Sequence, residues 1–168
     1  MRMDLLRNSS LIAATVTTGL MAGLYYAYAC SVMPGLRATD DRTFVASMQS
    51  INRAILNGWF FLVFIGALLL TGLAVAAQFG AGARPALPWI IAAFLLYGLT
   101  IVVTGAVNVP LNDGLVAAGD PDRAVDLAAV RARFEATWVR WNLVRTAGSL
   151  AAFGCLTWAL VLEGRGGS

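Results

Sequence analysis

The chain has 168 residues, of which 59% are hydrophobic and only 12% charged, with a mean hydropathy of +0.74, far from the composition of an ordinary soluble domain. Its net charge of +3 comes from arginines that alternate with acids in two loops, so no basic run invites a nucleic acid. Histidine is absent, which removes imidazole metal ligands, haem histidines and any Ser-His or Cys-His nucleophile pair.

Uncharged stretches set the architecture. They run for 29 residues between Arg7 and Arg37, 30 between Arg53 and Arg84, 28 between Arg84 and Asp113, and 17 between Arg145 and Glu163. A membrane span needs roughly 20 apolar residues, so the first three suffice and the fourth must borrow from upstream of Arg145. The expectation is a single all-α membrane domain, a four-helix transmembrane bundle with spans at about 11–33, 59–79, 89–109 and 143–162.

In chain order, Arg2 and Arg7 before an apolar run resemble a signal peptide, but the run continues to Met33 and fits an uncleaved anchor better. The first span carries Gly19-Leu20-Met21-Ala22-Gly23, a small-xxx-small pattern that favours close packing of span on span and leaves a homo-oligomer open. Tyr25, Tyr26 and Tyr28 follow at its exit, where amphipathic rings favour the interface. Pro34-Gly35 is expected to stop the helix, and Thr39-Asp40-Asp41 to cap the next. Phe44, Met48, Ile51 and Ile55 then mark an amphipathic helix over about 40–57, expected to lie on the membrane surface or to lead into the second span, with Asn52 beside the stripe and Asn57-Gly58 breaking it before that span. A glycine-rich connector at 80–85 leads to Trp89 and the third span, which ends in VTGAVNVPLND. Asp120-Pro121 reads as a helix start, and Leu127, Val130, Phe134, Trp138 and Trp141 form an apolar stripe with no breaker before the fourth span. One helix over about 121–162 is expected, its first part, 121–142, interfacial. Cys30 and Cys155 fall at different depths and are expected to stay unpaired.

Four antiparallel spans bring the end of the first, the start of the second, the end of the third and the start of the fourth to one side. That side collects the tyrosines, Gln49, Asn52, Asn57, Asn108, Asn112, Asp113, Trp138, Trp141, Asn142 and Arg145, and the polar chemistry is expected to be one-sided. A span counted back from Leu162 places Arg145 inside the apolar zone. Its guanidinium either snorkels to the headgroups or pairs with Asp113 at the end of the neighbouring span. Trp138, Trp141, Asn142 and Arg145 share one helix face, a stripe suited to a planar apolar molecule bearing a carbonyl or phenolate oxygen. A structural polar plug tying the helices together fits the same residues.

The segments YYAYACSVMPGL (25–36), FVASMQSINRAILN (44–57), VNVPLND (107–113) and WVRWNLVRT (138–146) resemble the anthrone oxygenase-like family of small membrane proteins, over nearly the whole chain and in the same order. Gly58 is a departure, since many relatives carry proline after the matching asparagine. The resemblance implies oxidation of an anthrone to an anthraquinone by molecular oxygen, with no evident metal, flavin or haem. Asp113 is then expected to take a proton from the activated methylene, with Arg145 and Asn108, Asn112 or Asn142 stabilising the enolate oxygen. Tyr26, Met48, Asn52, Asn57, Trp138 and Trp141 would complete the substrate site. Rival readings are a non-catalytic protein that binds a small apolar ligand or serves assembly, and a small transporter; the latter would normally show an ionisable residue near mid-span. The implied partners are the lipid bilayer and a planar aromatic or quinol-like substrate. Arg2, Arg7, Arg84 and Arg165 fall on one side and eight arginines with seven acids on the other; the short basic tail places both termini on the cytoplasmic side, against the raw count.

Overall fold

The computed structural model describes residues 2–79, 85–123 and 126–166, so most of the glycine-rich connector and residues 124–125 lie outside the described residues. The chain is all helical there: α1 (Arg2–Ala27), α2 (Met33–Arg37), α3 (Asp41–Ala54), α4 (Gly58–Ala76), α5 (Leu87–Val103), α6 (Val109–Ala117) and α7 (Leu127–Gly166). Four stretches are long and apolar enough to cross a membrane. Their outward faces carry leucine, isoleucine, valine and aromatic side chains, the pattern of a bundle whose solvent is lipid. The protein is a multi-pass four-helix membrane bundle.

Small residues let the spans approach. Alanines 14, 67, 74, 93, 152 and 159 are fully or almost fully buried between them. A Cβ on Gly19 would lie 2.9 Å from the Phe153 ring, and one on Gly148 would lie 3.1 Å from Thr100 Cγ2 and 3.5 Å from the Leu96 carbonyl. The first half of the small-xxx-small pattern therefore packs α1 on α7, as expected within one chain, whereas a Cβ at Gly23 would meet nothing. Tyr97 donates its hydroxyl to the Phe64 carbonyl at 2.9 Å, joining α5 to α4.

α7 has 40 residues and is about 60 Å long, roughly twice the hydrocarbon thickness. One crossing does not use its whole length, and α2, α3 and α6 gather on its first half as a cap. The cap has its own core of Met33, Phe44, Val45, Met48, Leu115, Phe134 and Trp138. The apolar stripe of the amphipathic helix expected over 40–57 is covered by this cap, with Phe44, Val45 and Met48 at 0% exposure. Gln49 fixes α3 to the end of α6, donating to the carbonyls of Leu115 and Gly119 at 2.9 Å each. Gly119 has φ +79° and turns the chain just past α6, a conformation glycine adopts without strain.

Two other expectations change at the helix starts. Asp40 caps α3 as foreseen, its carboxylate accepting from the Thr43 amide at 2.9 Å. At α7, however, Asp126 accepts from Ala129 at 2.9 Å, while Asp120 folds onto Asp122 in a turn. Asp120-Pro121 lies too early because a turn over 121–123 intervenes.

Arg131 locks the cap. Its guanidinium reaches Glu135 at 2.7 Å, Asp41 at 3.1 Å and the Thr39 and Arg37 carbonyls at 2.9 Å, and lies 4.5 Å from the centre of the Phe44 ring. Glu135 also accepts from Arg37 at 2.8 Å. Burial pushes the Glu135 carboxyl up, but the bonds and charges of Arg131 and Arg37 outweigh it and hold it below its ordinary value. The folded carboxyl is then the stronger acid. Its contribution is complete above the usual carboxylate range of about 4 to 4.5 and disappears as the pH falls through the lowered folded value. Acidification below about pH 4 is expected to lower the thermal midpoint of detergent-solubilised protein, and Glu135→Gln to flatten that dependence; an equally steep acid profile in the variant would show that other carboxylates carry it.

The opposite rim is not bare, contrary to the one-sided expectation. Arg7 Nε lies 2.9 Å from Glu163 Oε2, and buried Gln78 donates to Glu163 Oε1 at 3.1 Å, so one carboxylate ties α1, α7 and the turn after α4 together.

Candidate functional site

Between the membrane core and the cap core lies a band of buried polar side chains, and two π turns shape it. Tyr28–Val32 and Thr104–Asn108 are π-helical, and each is followed by a helix with proline in its first turn, Pro34 and Pro110. Proline has no amide to donate and crowds the preceding turn, so the ladder widens just before it. Pro34 consequently does not end the first helix as expected; the chain widens by one register and runs on to Arg37.

Arg145 is the centre of the band, 6% exposed. Its guanidinium donates to Asn142 Oδ1 at 2.9 Å and makes a long contact to Thr104 Oγ1 at 3.4 Å. It lies 4.6 Å from the centre of the Tyr25 ring and 5.3 Å from that of Trp138. Asn142, 1% exposed, uses its amide nitrogen on the Tyr25 carbonyl at 3.1 Å, so one asparagine orients the cation and joins α7 to α1. Trp138 donates its indole N–H to Asn112 Oδ1 at 2.9 Å.

The anticipated Asp113–Arg145 pair is not formed. Asn112 turns inward to meet Trp138, and one residue further along a helix is about 100° away. Asp113 therefore points outward, exposed and without an ion pair among the described residues. Arg145 neither snorkels nor pairs; it is buried against neutral partners.

A cavity of about 90 Å³ opens beside it, lined by Leu24, Tyr25, Tyr28, Asn52, Ile55, Leu56, Phe60, Thr104, Val109, Asn112, Trp138 and Arg145. Leu56 is 67% and Val109 43% exposed, which puts the mouth at the surface of the bundle beside these two side chains. Among the described residues, Arg145 Nε, Asn52 Nδ2 and both amide atoms of Asn108 are buried without a hydrogen-bond partner, a concentration of unmet polar groups that a ligand or water could satisfy. A larger groove of about 690 Å³ between α6 and α7 in the cap has none of these orphaned atoms on its walls.

Of the residues expected in the site, Asn52, Asn112, Trp138 and Arg145 line the cavity, and Asn142 stands behind Arg145. Asn108 is buried in the second π turn at 1% exposure but does not line the space. Tyr26 faces outward, 55% exposed. Met48 belongs to the cap core. Asn57 caps α4, accepting from the Phe60 amide at 3.0 Å and donating to the Ala54 carbonyl at 2.8 Å; this cap sets the backbone at Gly58. Trp141 is half-buried and off the cavity. The wall from α1 is Tyr25, and the sequence carried a signal for it: Leu11, Ala14, Thr18, Met21, Ala22 and Tyr25 recur at three- and four-residue spacing and are all buried.

A family model described as anthrone oxygenase matches residues 59–155, which takes in Thr104, Asn108, Asn112, Trp138, Asn142 and Arg145 and leaves Tyr25, Tyr28 and Asn52 upstream of the matched segment. No match is found among curated proteins or among solved structures. With more than half of the chain matched, and that half holding the buried guanidinium and its partner Asn142, the chain belongs to the anthrone oxygenase family.

Proposed function

We propose that the protein is an integral-membrane, cofactor-independent oxygenase that acts on an anthrone-like or other planar phenolic substrate, with molecular oxygen as co-substrate. The observation that carries this reading is a buried cation with no carboxylate beside it and an unpartnered Nε facing an aromatic-walled cavity. Such a group stabilises negative charge on a substrate oxygen, and in a site shielded from water the effect is large. Loss of a proton from the methylene of an anthrone leaves an electron-rich enolate. Reaction with dioxygen converts the methylene to a carbonyl, one oxygen atom entering the product and the other leaving as water. Arg145 holds the enolate oxygen, Asn142 fixes the guanidinium, and Tyr25, Tyr28, Phe60 and Trp138 provide flat walls.

The cavity's volume of about 90 Å³ corresponds to about three waters, below the several hundred Å³ usual for a bound drug-sized molecule. A tricyclic substrate therefore enters with its polar end first and displaces Leu56 and Val109 at the mouth.

Oxygen uptake by detergent-purified protein with a panel of anthrones and hydroquinones tests the proposal. Uptake of one dioxygen per anthrone with appearance of the anthraquinone is expected. Tight binding across the panel without uptake would make the protein a binder instead. Because Asp113 lies outside the cavity, Asp113→Asn is expected to keep uptake within about twofold, the scale of surface changes; a hundredfold loss would restore this carboxylate as the base.

A further inference from the structure

Among the described residues nothing around Arg145 balances its charge. Its close partners Asn142, Thr104, Tyr25 and Trp138 are all neutral, and the cavity lining contains neither aspartate nor glutamate. Leaving a buried charge without an opposite charge is among the most destabilising arrangements in a protein. Among the polar atoms of the lining residues, Arg145 Nε and Asn52 Nδ2 are buried without a partner, and both donate. Asn112 Oδ1, an acceptor on the same wall, is already taken by Trp138. A neutral ligand would satisfy these donors but not the charge.

We propose that the cavity takes its ligand as an oxyanion in the ground state: a phenol or enol ionises on binding, and its oxygen supplies the counter-charge for Arg145. The ligand's O–H bond breaks heterolytically, the electron pair stays on the oxygen, and the proton passes to water at the mouth. This rests on the reading of the site given above and goes beyond it in two respects. The chain contributes no general base, and selection is for acidic phenols and enols over neutral quinones. The aromatic rings of Tyr25, Tyr28, Phe60 and Trp138 favour an aryl oxyanion over an aliphatic carboxylate.

4-Nitrophenol, whose neutral and ionised forms have separate visible bands, reports the ionisation directly and is not oxidised by oxygen. It is titrated with the full-length protein in detergent, against empty micelles of the same detergent. The bound probe is expected to ionise at a pH lower by about one unit or more, a tenfold gain in acidity. Arg145→Gln should abolish the shift, while Arg140→Gln, which removes an exposed cation from the same helix, should leave it intact. Decanoate should displace the probe at least about tenfold less well than a phenolic competitor, on the scale of one lost aromatic contact or more. A bound probe that ionises at its micellar midpoint overturns the proposal, as does failure to bind at any pH or equal displacement by decanoate. The wild-type measurement needs no variant to fold, and because no oxygen is consumed its failure leaves the oxygenase reading to stand or fall on oxygen uptake.

Discussion

Arg145→Met is expected to lower oxygen uptake with an anthrone by about 10²- to 10³-fold, the scale of removing one preorganised donor from a developing oxyanion, while the thermal midpoint stays level or rises. The two halves of this result have the same cause. The guanidinium is buried against neutral groups, so its desolvation is not repaid by an ion pair, and an apolar side chain of similar length removes that penalty. The variant also leaves Asn142 Oδ1 without its donor, which offsets part of the gain. Arg145→Lys keeps a charge but loses the planar fork that meets Asn142 and stacks over Tyr25, so it should recover only part of the rate. A purely structural plug would behave in the opposite sense, with the midpoint falling and activity following the folded fraction. Oxygen-electrode rates beside thermal unfolding in the same detergent separate the two; unchanged turnover in the methionine variant would remove Arg145 from the mechanism.

The membrane spans were legible because charge is costly in lipid: the uncharged intervals between arginines and acids bound three of the crossing helices, and the fourth is reached by extending its interval upstream past Arg145. The interior of the site was legible only as far as helical phase could be counted. Asn142 and Arg145 were found because one turn separates them, and the bond between them closes at 2.9 Å. Tyr26 and Asp113 were expected one residue away from the inward positions, Tyr25 and Asn112, and a one-residue error on a helix moves a side chain by about 100°. The π turn before Pro110 accounts for the second of these, since it adds a residue to the turn and shifts the phase of everything beyond it; Tyr26 precedes the first π turn and its phase is untouched by it. The cap was missed for another reason. The stripe of Phe44, Val45 and Met48 says that one face of α3 is covered but not what covers it, and the length of α7, which offers protein to that face, has no breaker to announce where the membrane ends. The Arg7–Glu163 pair joins the two ends of the chain, a proximity that periodicity within either helix does not encode.

Trp138→Ala is expected to have the largest effect on stability of any change at the site, about 3 to 5 kcal/mol for a buried tryptophan. The ring is 4% exposed and lies where the two cores meet. It stacks on Phe134 with centroids 6.0 Å apart, tilts against Tyr28 at 5.5 Å and forms one face over which Arg145 sits. Truncation opens a void continuous with the cavity and removes the indole N–H that holds Asn112 in place. Trp138→Phe isolates that last component: most of the packing remains, the hydrogen bond does not, and a loss of about 1 to 2 kcal/mol is expected. Asn112→Ala combined with Trp138→Phe should then lose less than the two single changes added together, because the partners of one bond are not independent. In turnover the phenylalanine variant should raise KM more than it lowers kcat, since the indole positions the wall against which the substrate lies and Arg145 keeps its own partners Asn142 and Thr104. Equal losses in kcat and kcat/KM at unchanged KM would instead mean that Trp138 acts on the transition state itself, and that the cation over its face is held in working position by the ring rather than by Asn142.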